Sequence, residues 1–259
     1  MNTVTLNYAQ HGELGEPLII LHGLFGSARN WQGIAKQLSD RYTVYALDLR
    51  NHGGSPHSDI MDYSSMSADV LAFMELHQIK CATVLGHSMG GKVAMQFALS
   101  SPEKISKLVL VDIAPVAYTH NFDDVLAGFY HVPLDQVNSR KEAERYLAEK
   151  IAMPSLRQFL LQNLVKGETG GYQWRVNLAS IEENMLAIMG FPANEAVAAY
   201  TDPALFINGG KSSYLALRYQ GVAKDMFPNA EFQTIERAGH WPHIESPTEF
   251  MQMLNHFLG

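Results

Sequence analysis

The sequence is nearly without cysteine: Cys81 is the single one in 259 residues. No disulfide can form within the chain, so a buried core must hold it together. A reducing cytoplasm suits that composition. Basic residues are also in deficit, with 19 Lys and Arg against 26 Asp and Glu and a net charge of −7. No basic block compensates, which argues against nucleic acid or an anionic membrane as the main partner. No apolar run approaches the roughly 20 residues needed to cross a bilayer. The opening stretch, MNTVTLNYAQHGELGEP, has neither the basic end nor the apolar segment of a secretory signal. Internal repeats and low-complexity tracts are missing too, and a soluble globular protein is the expectation.

What the chain does have is a hydrophobic content of 47%, enough for a substantial core. Its short apolar runs, PLIIL (17–21), TVYALDL (43–49), CATVLG (81–86), KLVLVDIA (107–114) and ALFIN (204–208), are continuous rather than alternating. That pattern marks strands buried on both faces, as in a parallel sheet. AEFQTIE (230–236) reads as the last strand, and short strands within 2–10 are expected to pair at the N-terminus. Helical faces lie between the runs: Trp31, Ile34, Ala35 and Leu38; Met66, Val70, Phe73 and Met74; residues 89–99; and Phe250, Leu254 and Phe257. Ser246, Pro247 and Glu249 have the spacing of a capping box. Strands alternating with helices predict an open, mostly parallel α/β sheet flanked by helices. Only 117–200 breaks the rhythm. It is rich in charged helical patterns and too long for a loop, so it predicts a helical cap inserted into a core made of 1–116 and 201–259. Ligands of such sheets bind at the carboxyl ends of the strands, where a helical insertion would roof them.

Three motifs sit at those ends. Gly86-His87-Ser88-Met89-Gly90 lies between a predicted strand and a predicted helix, the context of a nucleophile elbow with Ser88 at its tip. His22-Gly23-Leu24-Phe25 follows the first strong strand. Its Leu24 N–H, together with that of Met89, is placed to form an oxyanion hole, with Phe25 the next candidate. His240, in AGHWPHIESP, follows the last strand in a short loop expected to be fixed by the capping box at Ser246, and is the candidate general base. The bland reading fits other histidines better: His22 braces its turn, His243 supports its loop, and His87, His131 and His256 are surface or hydrogen-bonded residues. Asp48 and Arg50 in DLRNHGGS read as loop-shaping. Cys81 reads as a small buried residue. A rival reading takes Gly86, Gly91 and Lys92 as a phosphate-binding loop, but Val93 stands where the metal-binding hydroxyl is required.

HGLFGS, DLRNHGGS (48–55), GHSMGGK, VDIAP (111–115) and AGHWPH together resemble the α/β-hydrolase fold serine hydrolases, and among them the YbfF-like bacterial esterases. The resemblance runs from about residue 17 to the end. It implies an esterase acting on a small-molecule ester or acyl thioester, with no metal or organic cofactor. In the cap, Trp174 and Arg175 of YQWRVNL, with Phe25 of the core, are candidate substrate contacts. The sequence departs from the common pattern at one point. Many such enzymes carry an acid after the strand corresponding to 204–208, whereas ALFINGGKSSYLAL offers Asn208, Lys211, Ser212 and Ser213 and no acid. Asp112, at the end of the strand after the nucleophile strand, is the alternative; a triad is defined by geometry, not by chain position. Asp202 precedes its strand, and Asp123 and Asp124 fall in the cap. The expected set is Ser88, His240 and Asp112, with Ser212 as the competing orienter. A cofactor-free lyase, a C–C bond hydrolase and a non-catalytic binding protein remain open. Ser88 argues against dehalogenases and epoxide hydrolases, whose usual nucleophile is a carboxylate.

Overall fold

The computed structural model describes residues 3–119, 122–167, 170–192 and 198–259. Its strands are β1 (Tyr8–His11), β2 (Glu16–Leu21), β3 (Tyr42–Leu47), β4 (Ala82–His87), β5 (Ile105–Val111), β6 (Leu164–Lys166), β7 (Tyr172–Trp174), β8 (Ala204–Gly209) and β9 (Ala230–Ile235). Seven of them form one sheet in the order β1-β3-β2-β4-β5-β8-β9, parallel throughout except for β1. The apolar runs are its centre: every residue of β4 and β8 is buried.

The helices are α1 (Gln32–Leu38), α2 (Tyr63–Leu76), α3 (Met89–Ser100), α4 (Asp123–His131), α5 (Arg140–Ala148), α6 (Pro154–Leu160), α7 (Leu178–Glu183), α8 (Met185–Met189), α9 (Leu217–Met226), α10 (Pro242–Glu245) and α11 (Pro247–Leu258). Alternation along β2 assigns the two faces of the sheet. Leu18 and Ile20 pack with Ile34, Leu38, Phe250 and Leu254 of α1 and α11. Ile19 and Leu21 pack with Met66, Val70 and Val93 of α2 and α3. The apolar stripes read from the sequence are therefore the buried stripes, except that Leu99 and Phe257 are only partly covered.

Two features differ from expectation. At the N-terminus there is no pairing of short strands among the described residues of 2–10; β1 instead runs antiparallel to β3, with Tyr8 opposite Leu47. Between β5 and β8 the segment is helical from α4 to α8, as expected, but also holds the antiparallel pair β6–β7. Three-residue strands are too short to show a period in the sequence. Residues 120–121, 168–169 and 193–197 of the expected cap lie outside the described residues.

Candidate active site

The turn from β4 into α3 places Ser88 at φ 52°, ψ −120°, the left-handed side of backbone space. A serine held there is strained and must be fixed by its surroundings. Its N–H donates to Val111 O at 3.0 Å and its carbonyl accepts from Gly91 and Lys92. The flanking glycines are a steric requirement. A Cβ on Gly86 would collide with the backbone of Gly90 and Gly91, and one on Gly90 with the carbonyls of Leu21 and His22.

His240 reaches this serine from the loop after β9. Its Nε2 lies 3.0 Å from Ser88 Oγ, and its Nδ1 lies 2.6 Å from Asp112 Oδ2. Asp112 follows β5, is fully buried, and also has a positive φ, 50°. The acid-free turn after β8 is what holds it. Gly209 N–H donates to Asp112 Oδ1 at 3.0 Å, and Ser212 Oγ donates to Oδ2 at 2.5 Å. Ser212 thus binds the carboxylate rather than replacing it. Tyr214, from the same turn, stacks on the His240 ring with centroids 4.0 Å apart and planes 20° apart. Asp202 is exposed at the entering end of β8, as its position in the chain suggested.

The His240 loop is not fixed by a capping box. Ser246 closes α10 and opens α11 at once, and its N–H is bonded back to Pro242 O. The resulting ψ of 60° departs from the extended ψ usual for a capping residue. Its hydroxyl makes no cap bond and is buried without a partner, while Glu249 turns outward to Arg237 at 3.2 Å. Glu245 does the fixing. Its carboxylate accepts from Gly239 N–H at 2.9 Å and Trp241 N–H at 3.1 Å, on either side of His240. His87 Nε2 donates to the His240 carbonyl at 2.8 Å. Burial and the neighbouring His240 push the His87 pKa well down, so the ring is neutral. His243 stacks on Trp31 at 4.1 Å, and burial lowers its pKa to about 3.

On the opposite side of Ser88, the His22 turn leaves a backbone donor free. His22 donates from Nδ1 to Gly23 O and accepts Leu49 N–H at Nε2, the bracing role expected of it. His52, with its pKa lowered to about 3 by burial, accepts the Phe25 N–H at 3.1 Å. Phe25 is therefore excluded as an oxyanion donor. The Leu24 and Met89 N–H groups find no acceptor among the described residues, and Met89, first in α3, has no intrahelical partner either. The DLRNHGGS loop is a scaffold. Asp48 accepts from the Ala28 and Gly54 N–H groups and from Asn7, and Arg50 is paired with Asp69 at 2.6 Å.

Ser88 and His240 open into a cavity of about 170 Å³. Its apolar lining includes Phe25, Phe122, Val125, Leu156, Phe159 and Trp241. Trp174 and Arg175 are not part of it. The Trp174 indole donates to Phe129 O and packs edge-on against that ring, and Arg175 lies along a separate surface groove beside Asp48. Lys92 is no phosphate ligand: its Nζ is buried and donates to Met189 O and Gly190 O. Cys81 precedes β4 and is exposed, because the strand proper begins one residue later. His131 pairs with Glu149 at the surface. Among the described residues no group of three or more His, Cys, Asp or Glu side chains is placed to hold a metal ion, and no helix is long and apolar enough to cross a membrane.

This geometry can be set beside known proteins. The family model for the alpha/beta hydrolase fold matches residues 16–247. The chain belongs to that family. Over 252 residues it is 40% identical to an sn-1-specific diacylglycerol lipase of Xenopus tropicalis, covering 94% of this chain and 78% of that one. It is 34% identical over 251 residues to the esterase YbfF of Escherichia coli, covering 96% of each. A solved marine microorganism esterase superposes with a TM-score of 0.95 at 39% identity, covering 98% of this chain and 100% of the other. This alpha/beta hydrolase is accordingly of the esterase/lipase type, as the sequence motifs implied.

Proposed function

We propose that this alpha/beta hydrolase cleaves carboxylic esters through an acyl-enzyme on Ser88. The observation that carries the reading is the His240 imidazole, bonded through Nε2 to Ser88 Oγ and through Nδ1 to Asp112 Oδ2. As Oγ attacks the ester carbonyl carbon, its proton passes to Nε2. The carbonyl oxygen becomes an anion, met by the free N–H groups of Leu24 and Met89. Asp112 holds Nδ1 protonated and stabilises the imidazolium. Collapse breaks the bond to the alcohol oxygen, which takes the proton from Nε2. Water then attacks the acyl-enzyme by the same route, releasing the acid and restoring Ser88. An acyl thioester fits the same sequence, with a thiol as leaving group. Residues 117–200 act as a cap over a core of 1–116 and 201–259: Phe122, Val125, Leu156 and Phe159 line the cavity that holds Ser88, while every proposed catalytic group lies outside the cap.

An alkyl phosphonate probe tests this. It is expected to add mass on the peptide containing Ser88, and Ser88→Ala is expected to abolish both labelling and ester hydrolysis. Equal labelling of wild type and Ser88→Ala would overturn the assignment. Activity is expected to survive EDTA; loss that added metal restores would overturn the mechanism.

A further inference from the structure

Ser88 stands between two cavities of unequal size. The larger, about 170 Å³, is lined by His240, Trp241, Leu156 and Phe159. The smaller, about 20 Å³, is lined by Met89, Lys92, Ile113, Tyr63 and Met189. Ser88, Leu24, Phe122 and Tyr214 border both; the His240 ring, on which Tyr214 stacks, borders only the larger. The transition state has three arms around the attacked carbon: the oxyanion, the acyl group and the leaving oxygen. The leaving oxygen must lie within hydrogen-bond reach of His240 Nε2 to receive its proton. That fixes the alcohol on the side of the larger cavity. With the oxyanion at Leu24 and Met89, the smaller cavity is left for the acyl group.

The smaller cavity cannot easily widen. A water-sized group takes up roughly 10–15 Å³, so its room is for a carbon or two. Its outer wall is the end of α8, and three successive carbonyls there are tied down. Tyr63 Oη donates to Ile188 O at 2.5 Å, Tyr118 N–H donates to Met189 O at 3.0 Å, and Lys92 Nζ donates to Met189 O at 3.0 Å and Gly190 O at 2.5 Å. Lys92 lies one helical turn after Ser88, so the helix that presents the serine also clamps this wall. We infer that the enzyme takes esters with a short acyl group, of acetyl to propionyl size, joined to a bulky apolar alcohol. The alcohol lies against Phe159 and Trp241, and Lys92 is the residue that sets the acyl limit. This rests on the Ser88–His240 reading above.

The test is a crossed ester panel with the intact protein. One series varies the acyl group on para-nitrophenol from acetate to octanoate. The other varies the alcohol of an acetate from methanol to 2-phenylethanol, aliphatic alcohols of similar leaving ability and increasing apolar bulk. Expected are a fall in kcat/KM of about tenfold or more from acetate to octanoate and a rise along the alcohol series. Met189→Ala, at a half-buried position, is expected to raise butyrate relative to acetate and leave the alcohol order alone. Leu156→Ala is expected to change only the alcohol order. Octanoate turned over as fast as acetate by the wild type, or the two variants acting on the opposite series, would overturn the side assignment. Phosphonate labelling of Ser88 is measured in the same samples. With label present, such a result removes only this inference; with label absent, the catalytic reading falls and this one with it.

Discussion

Asp112 accepts hydrogen bonds at both oxygens, and this decides what an amide would do there. In Asp112→Asn, Gly209 N–H keeps the amide oxygen on its own side, since it has only a proton to offer. The amide NH₂ then faces His240 Nδ1 and makes it an acceptor. The proton moves to Nε2, where it blocks the transfer from Ser88. We expect Asp112→Asn to remain folded and to lose on the order of 10³- to 10⁴-fold in kcat, the upper figure being that of the corresponding serine protease variant. Ser212→Ala removes a neutral donor from a carboxylate that keeps its charge, and a loss of roughly ten- to a hundredfold is expected, the scale of one hydrogen bond to a charged group. Steady-state kinetics with melting curves as a folding control check both. If Ser212→Ala falls to the level of Ser88→Ala while Asp112→Asn stays active, the hydroxyl rather than the carboxylate orients His240. At this scale Ser88 and His240 were legible, because each sits in a short local motif. Glu245, His87 and Tyr214 were not: they act on His240 through a backbone N–H, a backbone carbonyl and a ring face, and none of those leaves a spacing in the sequence.

The loop after β3 shows how an element can be essential to the site without touching substrate. Arg50 is buried, bonded bidentately to Asp69 of α2 and further to the Ile60 and Ser65 carbonyls. Asn51, next to it, accepts the Asn177 N–H at its carbonyl and binds Ser180, anchoring α7 of the proposed cap. Breaking a buried pair leaves an uncompensated charge. Asp69→Asn is therefore expected to lower stability by about 3–5 kcal/mol in urea titration, with kcat of the folded fraction nearly unchanged; a much smaller loss would mean that water reaches Arg50. Lys92 offers a second measurement on an element, the α3–α8 clasp. Burial lowers its pKa to about 7 from an ordinary value near 10.5. Between those values the unfolded chain holds more of the proton, so this group makes stability rise with pH from about 7 towards 10. Lys92→Met is expected to flatten that slope in melting curves across the window. Unchanged slopes would place Lys92 in water rather than against α8.

The whole molecule carries a set of histidines that its fold keeps neutral. His22, His52, His87 and His243 are all buried with lowered pKa values, to about 3 for His52 and His243. In the unfolded chain they take up protons near pH 6.5. Below that pH the unfolded state binds more protons than the folded one, so stability falls as pH drops from about 6.5 towards 3. The melting temperature is expected to decline across that range in proportion to several protons taken up on unfolding. A flat profile down to pH 4 would contradict the buried, neutral placement. These rings brace the Ser88 and His240 turns, so acid loss of activity is expected to track loss of structure.

The sequence by itself determined the parallel sheet, the helical stripes and the strand-to-helix turn at Ser88, and it singled out His240 as the candidate base. Each depends on contacts within a strand, a helical turn or a short loop, where residue type and spacing are the physics. It also restricted the acid to a strand end, and so to Asp112 or the turn after β8. Which of them lies against His240 is a matter of tertiary structure, since it depends on the pairing of β5 with β8, which brings Gly209 and Ser212 onto the Asp112 carboxylate. The tertiary structure also put Trp174 and Arg175 outside the cavity and gave the His240 loop to Glu245 instead of Ser246. Those outcomes turn on where side chains point after distant segments pack, and no local period records that.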